Sequence, residues 1–306
     1  MRICTYNVRN LFLDDAANTN TNVDADANAN ADTNTEASER DPYYTKSPAE
    51  FRNLVKTIGR VNADVLCLQE VSTRASLEKL NAALERPLPH VGFLPGNSNR
   101  GIQLAMLSRY PLCLSSHAHL ELTDEAGGSL AEYDTEADAA AGRTVPLRFQ
   151  RDLLLGEIDA GPLGKLAIFN THLKSKTNRP WRLLAADTIR VAECQAISRI
   201  IEDYLERHPQ RATVLLGDFN DIRSSESLAP LFAMPFTDPL TDQLRGTGRN
   251  PSTYWPRRRM RIDHILLSPA AQACVRQGSA RIHSGRQAKQ ASDHYPVSLE
   301  LDMPSR

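Results

Sequence analysis

The most informative segment of the sequence is Val214-Leu215-Leu216-Gly217-Asp218-Phe219-Asn220. Here a short apolar run typical of a buried strand leads directly into polar residues. An unpaired carboxylate is costly to bury in an apolar core, so the buried strand is expected to end at Asp218. If the segment stays extended, Asp218 and Asn220 point to the same side. A carboxylate there can orient or deprotonate water, and the amide can hold that water or a phosphate oxygen.

Polar side chains follow other apolar runs in the same way. Glu70 follows the run 65–68, and Asn170 and His172 follow the run 166–169. Groups of the same kinds recur in three more segments, which are Thr5-Tyr6-Asn7, Arg261-Ile262-Asp263 and Ser292-Asp293-His294. Any one of these residues alone could be an ordinary cap or turn residue. Several strands that end in such groups predict one rim where the side chains converge on a charged ligand.

The types of candidate ligand indicate which metal ion could bind. Asn7, Glu70 and Asp293 offer only oxygen atoms, which suit Mg²⁺ or Mn²⁺ and not the nitrogen and sulfur sites that zinc favours. A metal with few protein ligands leaves room for water and a phosphate oxygen, and it offsets charge in the transition state. Asp263 could fix the tautomer of His294 and hold it as an imidazolium near the phosphate. The set therefore predicts a metal-assisted phosphoester site.

These segments resemble the endonuclease/exonuclease/phosphatase superfamily, which has the DNase I-like fold. The resemblance runs from Ile3 almost to Leu301, and the segments 217–220 and 292–294 are its most specific part. It implies a single domain over residues 1–306. The implied fold is a four-layer α/β sandwich, with two packed, mostly antiparallel β-sheets flanked by helices.

The resemblance also implies a role for each motif residue. The metal ligands would be Asn7, Glu70 and Asp293. Asp218 would activate water, and Asn220 would lie beside it in the phosphate pocket. His294, paired with Asp263, would contact the phosphate or act as general acid or base. His172 would contact the phosphate or assist the leaving group. Asn170 and Arg151 would contribute to substrate binding. A plain surface arginine is the alternative for Arg151.

Two segments interrupt the pattern. Residues 14–41 consist almost wholly of Asp, Asn, Ala and Thr and contain no aromatic residue, which predicts a disordered insertion. Residues 121–143 are rich in Glu, Asp, Ala and Gly, which predicts a flexible acidic loop. Much of the acid in the chain lies in these two segments, although the formal net charge is only −1.

The region 243–291 is basic, with nine arginines and one lysine against the single acid Asp263. Such a patch attracts polyanions. Its densest part, Arg257-Arg258-Arg259, follows Tyr254 and Trp255. Arginine can pair with phosphate while an aromatic ring stacks on a base, so this segment is a candidate nucleic-acid rim. The alternative is a solubilising hairpin whose aromatic side chains pack into the fold.

Apolar runs and cysteines bear on where the protein is located in the cell. The chain has no run of 18 apolar residues and no signal-like stretch at its start, and its five cysteines are scattered. We therefore expect a reduced cytoplasmic monomer without stable membrane association.

Ser47-Pro48-Ala49-Glu50 is a capping box that predicts a helix start. An apolar stripe near Ile197 and Ile201 predicts a second helix that ends near His208.

The leading hypothesis for function is a nuclease that hydrolyses phosphodiester bonds in DNA or RNA. A phosphatase or phosphodiesterase for a lipid, inositol or other small ester stays open, since the motifs fix the reaction better than the substrate. The segment before Asp263 lacks the signature of inositol phosphatases, and Met260 stands where abasic-site enzymes carry tryptophan. A catalytically silent binding protein is a further alternative. It is disfavoured because every metal and catalytic position of the family is filled.

Overall fold

The computed structural model describes residues 1–13, 45–161, 164–245, 247, 251–257 and 260–302. The predicted insertion at 14–41 lies outside these residues, so its disorder stays a prediction.

Strands and helices alternate in part along the described chain. The strands are β1 (Arg2–Leu11), β2 (Val65–Val71), β3 (His90–Phe93), β4 (Gln103–Ser108), β5 (Leu112–Ser116), β6 (Ala131–Glu132), β7 (Val145–Pro146), β8 (Leu153–Asp159), β9 (Lys165–His172), β10 (Ala212–Asp218), β11 (Asp263–Leu267), β12 (Arg281–Ile282) and β13 (Val297–Glu300). The α-helices are α1 (Pro48–Val61), α2 (Arg74–Ala82), α3 (Glu136–Ala140), α4 (Ala186–Arg207), α5 (Ala229–Ala233), α6 (Pro239–Leu244), α7 (Pro269–Gln272) and α8 (Arg286–Lys289). A 3₁₀ helix spans Glu226–Leu228.

Two large sheets form the centre of the fold. One has six strands in the order β12-β13-β1-β2-β4-β3, and the other has five in the order β11-β10-β9-β8-β5. Within them β1 pairs with β2 and β9 pairs with β10 in parallel, while the other neighbours are antiparallel. Both sheets are therefore mixed, with antiparallel pairing in the majority.

Side-chain alternation along the strands builds the four layers. On β1, Ile3 faces the core between the two sheets, whereas Cys4 and Tyr6 face the core on the outer side. The outer face of the six-stranded sheet is covered by α1 and α2, through residues such as Leu54 and Leu77. Helix α4 covers the outer face of the five-stranded sheet. The order of layers is thus helix, sheet, sheet, helix, as the family resemblance implies.

Both predicted helix boundaries are confirmed. Ser47 Oγ accepts a hydrogen bond from the Glu50 backbone N–H at 3.3 Å, and Glu50 Oε2 accepts one from the Ser47 backbone N–H at 3.0 Å. This reciprocal pair starts α1 with proline in its first turn. Helix α4 ends at Arg207, directly before His208.

The acidic segment 121–143 contains regular structure. It includes β6 and α3, and Glu132 of β6 lies opposite Val145 of β7 in a two-stranded sheet. The Glu132 carboxylate accepts hydrogen bonds from the backbone N–H groups of Leu183 and Leu184, at 2.8 and 3.2 Å. These contacts attach the segment to the loop before α4. Its flexibility stays a prediction.

The imidazole of His283 ties the stability of the fold to pH. Burial, with help from Arg2 and Arg281, lowers the pKa of His283 to about 4 from its ordinary value of 6.5. The unfolded chain therefore binds a proton here that the folded chain does not bind, so stability falls as the pH drops from about 6.5 towards 4. After discount for its partial exposure, we expect a loss of about 1 kcal/mol between pH 7.5 and about pH 5.

Urea unfolding at these two pH values measures this contribution when the wild type is compared with His283→Gln. Glutamine can keep the contact that joins His283 Nε2 and Ser298 Oγ at 2.7 Å, but it does not titrate. The wild type should lose more stability than the variant. Equal losses in the two proteins would show that His283 is not the titrating group.

No described helix combines the length and the apolar character needed to cross a membrane.

Candidate active site

The polar side chains that end the strands meet at one edge of the space between the sheets. His172 on β9, Asp218 on β10 and Asp263 on β11 lie at the same level, because the register pairs Asp218 with both neighbours. Asn7 on β1 reaches the same place from the opposite sheet. Each side chain continues the inward-facing row of its strand, as Asp218 continues Val214 and Leu216. The predicted rim is thus formed by strand alternation.

Asp218 lies at the centre of this cluster. Its Oδ2 atom accepts a hydrogen bond from Asn7 Nδ2 at 2.9 Å and lies 3.5 Å from His172 Nε2 and 3.7 Å from His294 Nε2. Its Oδ1 atom accepts one from the Asn220 backbone N–H at 2.9 Å. Burial raises the pKa of Asp218 to about 6, although the positive charge of His294 acts in the opposite direction. Above neutral pH the carboxylate is therefore ionised but close to the point of accepting a proton.

His294 carries the matching positive charge. Its Nδ1 atom lies 2.8 Å from Asp263 Oδ2. Burial alone would lower the pKa of His294, but the carboxylates of Asp263 and Asp218 outweigh it and raise that pKa to about 10. The ring is thus an imidazolium at neutral pH, which agrees with the predicted pairing. Ser292 fixes the backbone here, since its hydroxyl donates to Asn7 O at 2.8 Å and accepts from the His294 backbone N–H at 3.1 Å.

Glu70 joins the cluster because of an unusual backbone conformation. Strand alternation places Gln69 on the inner face and would turn Glu70 outward. The φ angle of Glu70 is +66°, and the pairing of β2 with β1 and β4 shifts register beyond this point. Its Oε1 atom accepts from Asn7 Nδ2 at 3.1 Å, and its Oε2 atom accepts from the Asn10 backbone N–H at 2.9 Å. A left-handed residue of this kind costs free energy and is typical of functional sites.

Two sets of residues could hold a divalent cation. Among the described His, Cys, Asp and Glu side chains, Asp218, Asp263 and His294 have ligand atoms within 4.8 Å of one another. An imidazolium has no lone pair for a metal, so we interpret this triad as an ion-pair network. The predicted set of Asn7, Glu70 and Asp293 supplies further buried oxygen atoms. Those donor types fit a hard cation such as Mg²⁺.

The amide of Asn7 is oriented by its neighbours. Its Oδ1 atom accepts from the Arg9 backbone N–H at 3.0 Å, and its Nδ2 atom points to Glu70 and Asp218. Rotation of the amide by half a turn would present oxygen to the space between the carboxylates. Asp293 is 4% exposed, and its backbone carbonyl accepts from the Trp255 backbone N–H at 3.1 Å.

Gly217 and Asn220 shape the turn that carries Asp218. Gly217 has φ of +143°, and a Cβ atom there would lie 1.9 Å from Thr171 O. Only glycine allows β9 and β10 to approach this closely. Asn220 has φ of +54°, and its Nδ2 atom donates to Leu173 O at 2.9 Å. The backbone of Asn220 is therefore fixed to Asp218, and its side chain is fixed to the segment that follows His172.

The structure gives Asn170 a different role from the predicted one. Its side chain is fully buried, with Oδ1 accepting from Gln69 Nε2 at 2.7 Å and Nδ2 donating to the carbonyls of Leu68 and Ala105 at 3.1 and 3.3 Å. It is level with Leu216, two residues inside the rim. Its hydrogen-bonding atoms thus join the two sheets, and we replace the predicted substrate contact with this positioning role.

Arg151 is buried close to the cluster, and its predicted contact with substrate stays a prediction. It is 7% exposed, and its Nη1 atom donates to Leu173 O at 3.2 Å, the same carbonyl that Asn220 contacts. Burial lowers the pKa of Arg151, and the carboxylates of Glu193, Glu70 and Asp218 oppose this change. A plain surface arginine is therefore excluded, and the guanidinium lies within the field of the site.

Two cationic residues near Glu70 were missed by the sequence analysis. Lys46 is 4% exposed, and its Nζ atom donates to Ala291 O at 2.8 Å, two residues before Asp293. Arg100 Nη2 donates to Asn10 Oδ1 at 3.3 Å. Neither lies in a recognisable motif. Arg100 could have been found only from the antiparallel pairing of β2 and β4, which places the start of β4 beside the end of β2.

A buried ion pair fixes the loop after Asn220. Asp221 Oδ2 lies 3.1 Å from Nη2 of Arg190, whose side chain on α4 is fully buried. Asp221 Oδ1 lies 2.6 Å from Nζ of Lys176. The pair ties the loops after β9 and β10 to one helix, which keeps His172 and Asp218 in a fixed relation.

The candidate nucleic-acid rim is only partly described. Tyr254 packs on His294 with ring centroids 5.2 Å apart, whereas Trp255 is 37% exposed and lies 5.6 Å from Lys289 Nζ. Trp255 Nε1 donates to Ser292 O at 2.7 Å, which anchors the ring directly beside the site. Arg257 is exposed. Arg258 and Arg259 lie outside the described residues, so their roles stay predictions.

Comparison with known proteins places these observations in a family. The model of the endonuclease/exonuclease/phosphatase family matches residues 4–294. No curated protein matches the sequence significantly. The human Nocturnin catalytic domain with bound sulfate is 15% identical, covers 98% of this chain and 93% of its own, and has a TM-score of 0.58. A variant of the 3′ phosphatase NExo from Neisseria, bound to a product DNA hairpin, is 17% identical with 99% of both chains covered and a TM-score of 0.58.

A third similar structure is truncated Caenorhabditis elegans TDP2, which is 14% identical, covers 97% of this chain and 96% of its own, and has a TM-score of 0.52. At these identities the likeness shows a shared fold. The predicted DNase I-like sandwich is confirmed.

Proposed function

This chain belongs to the endonuclease/exonuclease/phosphatase family, whose members are hydrolases of phosphoester bonds, and on this premise we propose that it is a divalent-metal-dependent nuclease. The observation that carries the proposal is the buried group around Asp218 Oδ2, where Asn7 and the two histidines converge within 3.7 Å. A carboxylate between an amide and two imidazoles is suited to general-base chemistry next to a phosphate.

In the proposed mechanism, Asp218 orients a water molecule and accepts its proton as the oxygen attacks phosphorus in line with the leaving group. Its pKa of about 6 suits this role above neutral pH. The imidazolium of His294, held by Asp263 at 2.8 Å, stabilises the negative charge that grows on the phosphoryl oxygens. His172 lies on the other side of Asp218, where it can contact the phosphate or donate a proton to the leaving oxygen.

Asn7, Glu70 and Asp293 would hold the cation, which we propose to be Mg²⁺ with Mn²⁺ as a substitute. When bound, it would polarise the phosphoryl group and offset the charge of the transition state. Glu70 is 2% exposed and Asn7 is fully buried, so the protein excludes bulk water from this side of the site.

Nucleic acid is the proposed substrate class. The support is the basic region 243–291 together with Trp255, whose partly exposed ring is anchored to the backbone of the site at Ser292. An exposed aromatic ring beside exposed cations suits a base and its phosphates. A solved structure of similar fold points the same way, since the NExo variant from Neisseria was solved with a product DNA hairpin.

Replacing Arg257, Arg258 and Arg259 with alanine is expected to weaken polynucleotide binding and to flatten its dependence on salt. Each lost phosphate contact reduces the slope of log K against log salt by about 0.7 to 0.9. Fluorescence anisotropy of a labelled oligonucleotide at several salt concentrations measures this slope. A matched control replaces three exposed arginines at the opposite end of the strands, namely Arg60, Arg86 and Arg207. Equal slopes in the two triple variants would assign Arg257 to Arg259 a structural role.

A substrate panel tests the proposal as a whole. Initial rates are measured on single-stranded and double-stranded DNA, on RNA, on a generic phosphodiester and on a phosphomonoester. We expect cleavage of at least one polynucleotide to exceed that of the small esters. Activity confined to a small ester would contradict the nuclease proposal and favour a lipid, inositol or metabolite phosphate.

A further inference from the structure

The guanidinium of Arg100 forms no ion pair within the described part of the chain, and it is linked to Glu70 through Asn10. Its Nη2 atom donates to Asn10 Oδ1 at 3.3 Å, and the backbone N–H of Asn10 donates to Glu70 Oε2 at 2.9 Å. Its Nε atom is buried and has no hydrogen-bond partner among the described residues. The Nη1 atom also makes no hydrogen bond with the described residues, and it is not fully buried, so it can donate to a bound anion.

The loop that carries Arg100 is fixed against Arg151. The backbone N–H of Asn97 donates to Arg151 O at 2.8 Å, and that of Gly96 donates to Gln103 Oε1 at 2.8 Å. Gly96 packs so closely that a Cβ atom there would lie 2.7 Å from Arg151 O. The Arg100 loop and the backbone of Arg151 therefore form one rigid corner, and the positive charges of the two side chains repel each other. Such a corner is stabilised by an anion.

The chemistry of this corner favours a phosphate. Guanidinium groups bind phosphate oxygens through two parallel hydrogen bonds, and their charge persists at any physiological pH. Arg100 is separated from Asp218 by Asn10, Glu70 and Asn7, which form a chain of hydrogen bonds. Arg100 itself therefore makes no direct hydrogen bond to the carboxylate that activates water.

We propose that Arg100 binds the phosphate next to the scissile one in a polynucleotide, and that Arg100 and Arg151 form an anion subsite. This inference rests on the proposed nuclease function. The subsite favours a substrate with at least two phosphates over a small ester with one. Arg100 is then a residue for substrate selection.

Arg100→Gln tests the proposal, with Arg60→Gln as the control at an exposed position before the start of β2. We measure kcat/KM on a single-stranded oligonucleotide and on bis(p-nitrophenyl) phosphate, which has only one phosphate. For Arg100→Gln the expected loss on the oligonucleotide is at least about tenfold, and at least about fivefold larger than the loss on the small ester. Arg60→Gln should change neither rate by more than about twofold.

A second measurement separates binding from chemistry. In the Asp218→Asn background, fluorescence anisotropy should show a Kd for the oligonucleotide at least about tenfold higher with Arg100→Gln than without it. If Arg100→Gln does not accumulate as folded protein, Arg100→Lys serves the same comparison. It keeps the charge but loses the two parallel hydrogen bonds, so a smaller loss confined to the oligonucleotide is expected.

Three results would contradict the inference. Equal losses of kcat/KM on both substrates would mean that Arg100 contacts the scissile phosphate or only stabilises the fold. Rates and Kd values like those of the Arg60 control would show that no subsite exists. A wild-type protein that cleaves small esters but no polynucleotide would overturn the proposed function itself, and the subsite with it.

Discussion

Asp218→Asn is expected to lower kcat on a polynucleotide by at least about a hundredfold while the protein stays folded. Asparagine keeps the size of the side chain and an oxygen that can accept from Asn7 Nδ2, but it cannot accept a proton. Burial already disfavours the charged form of Asp218, so the neutral variant should unfold at a urea concentration close to that of the wild type. Steady-state kinetics and urea unfolding followed by circular dichroism measure the two effects.

Asp203→Asn is the matched control, because Asp203 is an exposed aspartate on α4. It should retain the wild-type kcat. An Asp218→Asn protein that turns over at the wild-type rate would remove Asp218 from the mechanism. A folded but inactive Asp203→Asn protein would show that the assay does not report on the site.

Gly217→Ala is expected to destabilise the protein by more than about 4 kcal/mol, or to prevent folding. A Cβ atom would lie 1.9 Å from Thr171 O, and its φ of +143° is strained for any residue with a side chain. The clash is with backbone, so it can be relieved only if β9 moves away from β10. Yield of soluble protein and the urea midpoint measure the effect.

Gly59→Ala provides the opposite result as a control. Gly59 lies in α1, and a Cβ atom there would meet nothing within 4 Å. Alanine in a helix should therefore raise stability by roughly 0.5 to 1 kcal/mol. If Gly217→Ala unfolds at the same urea concentration as the wild type, the close approach of the two strands is not needed.

Local sequence patterns predicted the features of the site that depend on period and strand ends. The apolar run before Asp218 and the alternation along β9 place Asp218 and His172 on the inner faces of their strands. The capping box at Ser47 predicted the start of α1 for the same reason, since its hydrogen bonds join residues three apart. Information within a few residues was sufficient in these cases.

Long-range packing determines what local patterns could not predict. Asn170 and His172 share a face of β9. The structure is needed to show that the amide of Asn170 is buried and donates hydrogen bonds to the carbonyls of Leu68 and Ala105 on the other sheet. Glu70 reaches the site through a left-handed φ, which its sequence does not predict because no glycine stands at or next to this position. Arg100 comes beside Glu70 only because β4 runs antiparallel to β2. Each case depends on which strands are neighbours.

In the proposed reaction, the group around Asp218 hydrolyses phosphodiester bonds with the help of a divalent cation. Cleavage of one end-labelled polynucleotide is measured for the wild type and Asp218→Asn, each in Mg²⁺ and in EDTA. We expect product only for the wild type in Mg²⁺. Equal cleavage by both proteins, or cleavage by the wild type that continues in EDTA, would contradict it.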